Sequence, residues 1–382
     1  MNDIDYQLVF IGQERTAHRD ALLDLVKQRF SDIGLNFDDE GELLEGGGTM
    51  PDWKGFPVAV WFGGTSAPDA DEVNVVKEML ARGFSVFSVV ASLQNYSACV
   101  PDILRPINGQ VVDYLRIATE IMKAFRLVRK YRQAFISYKR DESSGVASQL
   151  FHELTEKGYK VFLDTISVDA GVDFQKALWS RMADVDLLIL LDSPKALSSE
   201  WVYKEFLRSC DLGMGAVQLI WPNHKRTPGT EFSTPISLTE KDFENDMIDR
   251  TGVLIDATLE KVVEVVENER IRSLNARRTR LVEGLLSLVA DKGVSLVVHP
   301  ARQVDILKGT DKLAEVLPFV GVPDSFSVHE HEKDKAHDQT YVVYNGLGVD
   351  EQWAEHLKWL NNKATVEVFQ VDDFGIYIAR LA

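Results

Sequence analysis

The chain has 382 residues, of which 45% are hydrophobic and 26% charged, with a formal net charge of −17. The length implies two or three globular domains, and the acidic balance argues against general nucleic-acid binding, which needs a basic surface for phosphate contacts. Two cysteines, Cys99 and Cys210, give neither a disulfide framework nor metal-ligand spacing and fit a reducing compartment. The start, MNDIDYQLVF, lacks the basic and apolar regions of a signal peptide, and no apolar run reaches the roughly 18 residues of a membrane span, so the expected setting is cytoplasmic, without membrane contact.

The first segment alternates short apolar runs with helical periodicity. QLVFIG (7–12), PVAVWFGG (57–64) and FSVFSVVAS (84–92) read as strands, and 17–31 and 69–83 read as helices. This order predicts a parallel sheet covered by helices. The acidic, glycine-rich stretch 38–55 reads as a mobile surface loop, and 110–130 as a long helical connector.

The second segment repeats the order more clearly. QAFISY (133–138), YKVFLD (159–164), DLLILLDS (186–193) and AVQLIWP (216–222) read as strands. Helices are expected over 145–158, 172–185, from the serine pair Ser198–Ser199 onward, and over 254–268. The polar stretch after Pro222 reads as loop. In a third segment, 269–293 reads as a basic helix and 351–362 as another. VSLVVHP, TYVVYNG, TVEVFQV and GIYIARL read as strands, which makes a small α/β unit. The polar run HEHEKDKAHD, with His329, Glu330, His331 and His337, reads as a solvated turn rather than a metal site. Cys210 and Trp179 are expected in the core. Arg270, Arg272, Arg277, Arg278 and Arg280 are expected to face an acidic partner or solvent. Residues 1–108, 109–131, 132–268 and 269–382 are thus expected as an N-terminal α/β domain, a connector, a middle domain and a C-terminal α/β domain.

In LSSEWVYKEFLRS (197–209), Trp201 and Glu205 fall on one helical face, one turn apart. Such a pair is either a core aromatic beside a solvated charge or the wall and floor of a pocket. Ligands of open parallel sheets bind beyond the carboxyl ends of the strands. Three stretches meet there: Ser137 to Asp141, the loop from Asp164 to Gly171, and the segment from Ser193 to Glu205. Together they would supply aromatic rings, two cations and a carboxylate, which suits a ligand with phosphates, ribose hydroxyls and a cationic ring. Lys139 and Arg140 also fit plain surface charges, and Asp164 also fits a turn cap.

Residues 132–268 resemble a Toll/interleukin-1 receptor (TIR) domain. The resemblance rests on FISYKRDES and on the series from FLDTISVDAGVDFQKALWSRM through DLLILLDS to SSEWVYKEF. It implies a flavodoxin-like α/β fold with a parallel sheet. One reading of the first segment is a degenerate TIR-like copy, since Glu78 can be laid against Glu205, with Asn74 where Trp201 stands. Many members cleave NAD+ at the nicotinamide–ribose bond with a glutamate at the position of Glu205. The resemblance therefore implies that Glu205 is catalytic and that Tyr138, Lys139, Arg140, Asp164, Ser193 and Trp201 bind substrate. NAD+ would be a substrate, with no cofactor and no metal. Where many members carry cysteine after the tryptophan, this chain has Val202, a packing position. The resemblance further implies self-association. A prokaryotic antiviral or stress response is the expected setting, judged from compactness and the lack of receptor features, with an unidentified trigger sensed by the flanking domains. Other members are non-catalytic scaffolds, and that alternative stays open. A third idea is a nucleotide-like activator at Gly46–Gly48 or Gly63–Gly64, on the weak signal of clustered glycines.

Overall fold

Strands buried on both faces lack a polar period, so they read as unbroken apolar runs. A computed structural model of the chain describes residues 4–46, 50–66, 68–129, 131–163, 174–290, 292–299, 303–334 and 337–381. The chain separates into two compact units, Met1–Val128 and Arg129–Ala382.

In the first unit, β1 (Tyr6–Ile11), β2 (Gly41–Glu45), β3 (Phe56–Phe62), β4 (Ser85–Val90) and β5 (Gly109–Val111) form one parallel sheet in the order β2-β1-β3-β4-β5. Its helices are α1 (Arg15–Asp32), α2 (Phe37–Glu40), α3 (Ala70–Ala81), α4 (Tyr96–Cys99) and α5 (Tyr114–Ala124). Two expectations are corrected here. The stretch 38–55, expected as a loop, contains the edge strand β2, tied to β1 by a hydrogen bond from Gln7 Nε2 to Glu42 Oε2 at 3.0 Å. The helical pattern over 110–130 is realised only as α5, and the residues before it pair with β4 as β5. Residues 47–49, and with them Gly47 and Gly48, lie outside the described residues.

In the second unit, β6 (Arg132–Ser137), β7 (Tyr159–Leu163), β8 (Leu187–Asp192), β9 (Gly215–Ile220) and β10 (Thr234–Ser237) form a parallel sheet in the order β10-β9-β8-β6-β7. Numbered within its own sheet, this is the 2-1-3-4-5 order of the first unit, the flavodoxin-like arrangement. Between these strands run α6 (Arg140–Glu156), α7 (Phe174–Asp184) and α8 (Glu200–Asp211), followed by α9 (Asp256–Val289). Alternate residues of β8 enter opposite layers. Leu187, Ile189 and Leu191 meet Val146 and Leu150 of α6 and Val262 and Val266 of α9. Leu188 and Leu190 meet Leu178 and Met182 of α7 and Val202 and Phe206 of α8. Burying each such leucine contributes roughly 1.5–3 kcal/mol.

The two helices expected over 254–268 and 269–293 are one 34-residue helix, α9. Its second half packs on a third sheet, of β11 (Ser295–Val298), β12 (Val304–Lys308), β13 (Asp311–Phe319), β14 (Thr340–Tyr344) and β15 (Glu367–Gln370) in sequential order. There Leu285 and Val289 join Ile306, Val316 and Tyr341. The first two pairings are antiparallel and the last two parallel. The helices here are α10 (Ser325–Asp334), α11 (Glu351–Leu360) and α12 (Val371–Leu381). Thus HEHEKD lies in a helix rather than a turn. GIYIARL is also helical, because the buried Phe374 and Ile378, four residues apart, impose the helical period.

The basic stretch of α9 is corrected as well. Arg270 is fully buried, paired with Glu267 at 3.1 Å and Asp186 at 3.3 Å. Arg277 donates to the Val185 and Ala183 carbonyls at 2.8 and 3.3 Å, at the C-terminal end of α7. Burial, with Arg129 nearby, pulls its guanidinium down to about 10. Arg277→Ala is expected to cost about 2 kcal/mol, as the loss of charged hydrogen bonds does, and to lower the thermal midpoint by roughly 4–8 °C. A melting curve unchanged from native would refute that role. Cys210 is exposed, and Trp179 is 36% exposed with the Arg208 guanidinium 5.6 Å from its ring centroid, so neither belongs to the core.

Candidate active site

The site grows from the carboxyl end of β6. Ser137 is its last residue and is fully buried; the chain then passes through Tyr138 and Lys139 into α6 at Arg140. The neighbouring strand, β8, ends at Asp192 and leads through a short loop to α8. The sixth residue of α8 is Glu205, which points inward because Val202, Phe206 and Ser209 share its buried face. Ser137 Oγ donates a close hydrogen bond to Glu205 Oε2. That bond joins the end of β6 to the middle of α8 across 68 residues of sequence. Only 1% of Glu205 is exposed, so its carboxylate is a buried group held by a hydroxyl, not a solvated surface charge.

Trp201 lies one turn earlier, half-buried against the apolar layer that contains Val202 and Phe206. With Tyr138, Lys139, Arg140 and Val202 it lines a cleft of about 440 Å³, within the size range of small-ligand sites. The structure thus brings Tyr138, Lys139, Arg140 and Trp201 to one cleft. Glu205 is not among the residues lining that cleft; it is buried and bonded to Ser137, the residue just before Tyr138. Ser193 is elsewhere: it is buried and donates from Oγ to Glu142 Oε2 at 2.6 Å. Asp164 and the loop 165–171 lie outside the described residues.

Other residues frame the site. Glu142 Oε2 also accepts the Lys195 N–H at 3.0 Å, so one carboxylate of α6 holds the loop between β8 and α8. Its signal is present in FISYKRDES, where it follows Lys139 by three residues and Arg140 by two. Asp192, fully buried, accepts from Gln218 Nε2 at 2.7 Å and lies 3.2 Å from His224 Nε2. Nothing in the local sequence marks that network, because its members come from β8, β9 and the loop beyond. Among the described residues there is no cluster of His, Cys, Asp and Glu suited to a metal ion, and no helix long and apolar enough to cross a membrane.

The N-terminal sheet offers a partial parallel. Glu78, aligned with Glu205 by sequence, is half-buried and pairs with Arg82 at 2.6 Å. The buried carboxylate of α3 is instead Glu72, which accepts the Gly12 N–H at 3.1 Å just beyond β1 and pairs with Arg15 at 2.5 Å. In each unit, then, a carboxylate on the helix after the third strand in sheet numbering reaches the end of the first. In the first unit that carboxylate is bridged by Arg15.

Comparison with known proteins bears on residues of this second sheet. The family model described as TIR domain matches residues 134–246. A Drosophila melanogaster protein named NAD(+) hydrolase sarm1 is 27% identical over 112 residues, which is 26% of this chain and 8% of that protein. Among solved structures, a family 9 glycosyl transferase from Veillonella parvula covers 70% of this chain and 98% of its own, with 11% identity and a TM-score of 0.26. The E. coli ADP-heptose lipopolysaccharide heptosyltransferase II covers 72% and 98%, with 11% identity and a TM-score of 0.21. Scores that low do not bear on the fold. The family match falls on the sheet, the cleft and the tryptophan–glutamate helix described above, and residues 134–246 of this chain are a TIR domain.

Proposed function

We propose that the TIR domain cleaves NAD+ at the bond between nicotinamide and ribose, with Glu205 as the catalytic residue. The observation that carries this reading is the buried Glu205 carboxylate, hydrogen-bonded to Ser137 and set one turn of α8 from Trp201, which lines the cleft. Nicotinamide in NAD+ is a cationic leaving group, so no acid has to protonate it. The ribose left behind develops oxocarbenium character. A carboxylate in a water-poor site stabilises that charge and can accept hydrogen bonds from ribose hydroxyls. Trp201 offers a face for the nicotinamide ring, Tyr138 backs the cleft from the core layer of α6 and α9, and Lys139 and Arg140 offer cations for the pyrophosphate. The hydrolase name of the Drosophila relative points the same way.

Glu205 is buried and does not line the cleft, so the cleft must rearrange before substrate reaches it. In this reading self-association of TIR domains supplies that movement, within a prokaryotic defence or stress response whose trigger the flanking domains sense. The second reading is a scaffold without turnover, favoured by the same burial, since a carboxylate tied to a serine also serves as a structural bond. Nicotinamide release by the full chain, measured at rising protein concentration beside Glu205→Gln, separates the two. A rate that grows faster than concentration and disappears in the variant supports catalysis on assembly. Native protein that assembles yet releases nothing supports the scaffold.

A further inference from the structure

A second cleft, of about 570 Å³, lies beside the first and shares Arg140 and Asp141 with it. Its far side carries Arg250 and Thr251, from the segment between β10 and α9, and its floor includes Ser144 and Gly145 of α6. Two guanidinium groups and one carboxylate, that of Asp141, thus line it.

The segment bearing Arg250 is fixed in place by its own backbone. Gly145 N–H donates to the Arg250 carbonyl at 2.7 Å. A Cβ at Gly145 would come within 2.3 Å of the Gly252 carbonyl oxygen and 2.6 Å of that of Thr251, so only glycine permits this approach. A Cβ at Gly252 would meet the Met247 carbonyl oxygen at 1.9 Å. The turn is closed by Asp249 Oδ1, which accepts from Thr251 N–H at 2.7 Å, Thr251 Oγ1 at 2.6 Å and Gly252 N–H at 3.1 Å. The hydrogen bonds from the Thr251 side chain and backbone hold that carboxyl below its usual range, so it stays ionised and engaged in the turn. Arg250 is therefore presented at the cleft from a backbone docked on α6, not from a loose loop.

We infer that this second cleft is an anion subsite that takes the adenosine-phosphate half of a dinucleotide lying across Arg140, with Arg250 as the residue that grips its phosphate. The inference rests on the NAD+ reading for the identity of the ligand. A dinucleotide has two nucleoside halves joined by a doubly charged pyrophosphate, and two clefts sharing a guanidinium match that division. An arginine can meet phosphate oxygens with paired, charge-assisted hydrogen bonds. Asp141 on the shared wall opposes anion binding, so Arg140 alone is nearly offset and Arg250 decides the sign of the cleft.

The test is calorimetric titration of the full chain with ADP-ribose, which keeps both phosphates and the adenosine and lacks the bond to be cleaved. Native protein is expected to bind it. Arg250→Ala should weaken binding about tenfold and Arg250→Glu should abolish it, whereas Arg250→Lys, which keeps the charge and loses the paired geometry, should fall between native and Arg250→Ala. In turnover, Arg250→Ala should raise KM with kcat little changed. Binding by Arg250→Ala equal to native overturns the subsite, as does failure of native protein to bind at millimolar ADP-ribose. If Glu205→Gln still releases nicotinamide while Arg250→Ala loses ADP-ribose, the carboxylate assignment falls and the subsite stands.

Discussion

Glu205→Gln is expected to reduce nicotinamide release by about 10²–10³-fold, the loss typical when one preorganised group facing transition-state charge is removed. Glutamine keeps the shape of glutamate and can still accept the hydrogen bond from Ser137 Oγ, so fold and cleft should persist. What disappears is the carboxyl group that can carry negative charge. Ser137→Ala tests the other partner. Ser137 positions the carboxylate, and its removal deletes one hydrogen bond, so turnover should fall by roughly five- to tenfold, with KM nearly unchanged. Turnover in Glu205→Gln within a few-fold of native would sink the assignment. A native-like melting curve for the variant has to accompany the loss, because Glu205 is buried and a misfolded protein would also be silent.

Arg270→Ala is expected to destabilise the second unit by about 3–5 kcal/mol, because it leaves carboxylates buried without their cation. The guanidinium is fully buried between Glu267 and Asp186. The buried Tyr159 hydroxyl also donates to Glu267. Burial alone would raise the Glu267 carboxyl, but Arg270 and then Arg132 outweigh it and hold it down to about 2. At Roughly 2–4 °C per kcal/mol, the thermal midpoint should drop by about 10 °C. The same pair sets an acid limit. A glutamate ordinarily titrates near about 4.3 when unfolded, so the stability Glu267 contributes is fully present above that pH. It is lost as pH falls from there toward 2. Glu267→Gln should therefore be less stable than native at neutral pH and should show a shallower decline across that acid window. Parallel acid profiles for the two proteins would rule this out.

The parts of the fold that were legible from sequence are those where burial writes an unbroken pattern. LLILLD could be read as a strand because both its faces are covered, whereas GELLE in β2 and TPIS in β10 are edge strands, half exposed, and looked like loop. GIYIARL misled because β-branched and aromatic residues favour strands, and only the third sheet's packing selects the helical spacing of Phe374 and Ile378. At the site, the spacing of Trp201 and Glu205 and the cluster after Ser137 were visible locally. The Ser137–Glu205 bond and the place of Arg250 were not, since each depends on segments far apart in the chain meeting at one sheet end. The run of arginines in α9 shows the converse: it suggests a charged surface, yet Arg270 pairs with buried carboxylates and Arg277 with backbone carbonyls.

The long helix α9 belongs to two hydrophobic cores. Val262 and Val266 fill the TIR layer, and Leu285 and Val289 fill the layer of the third sheet, within one rod about 50 Å long. The TIR domain and the third sheet are consequently not interchangeable cassettes. A recombination breakpoint anywhere along that rod would strip one module of its lining, so a viable exchange has to carry both cores together or rebuild a helix for each.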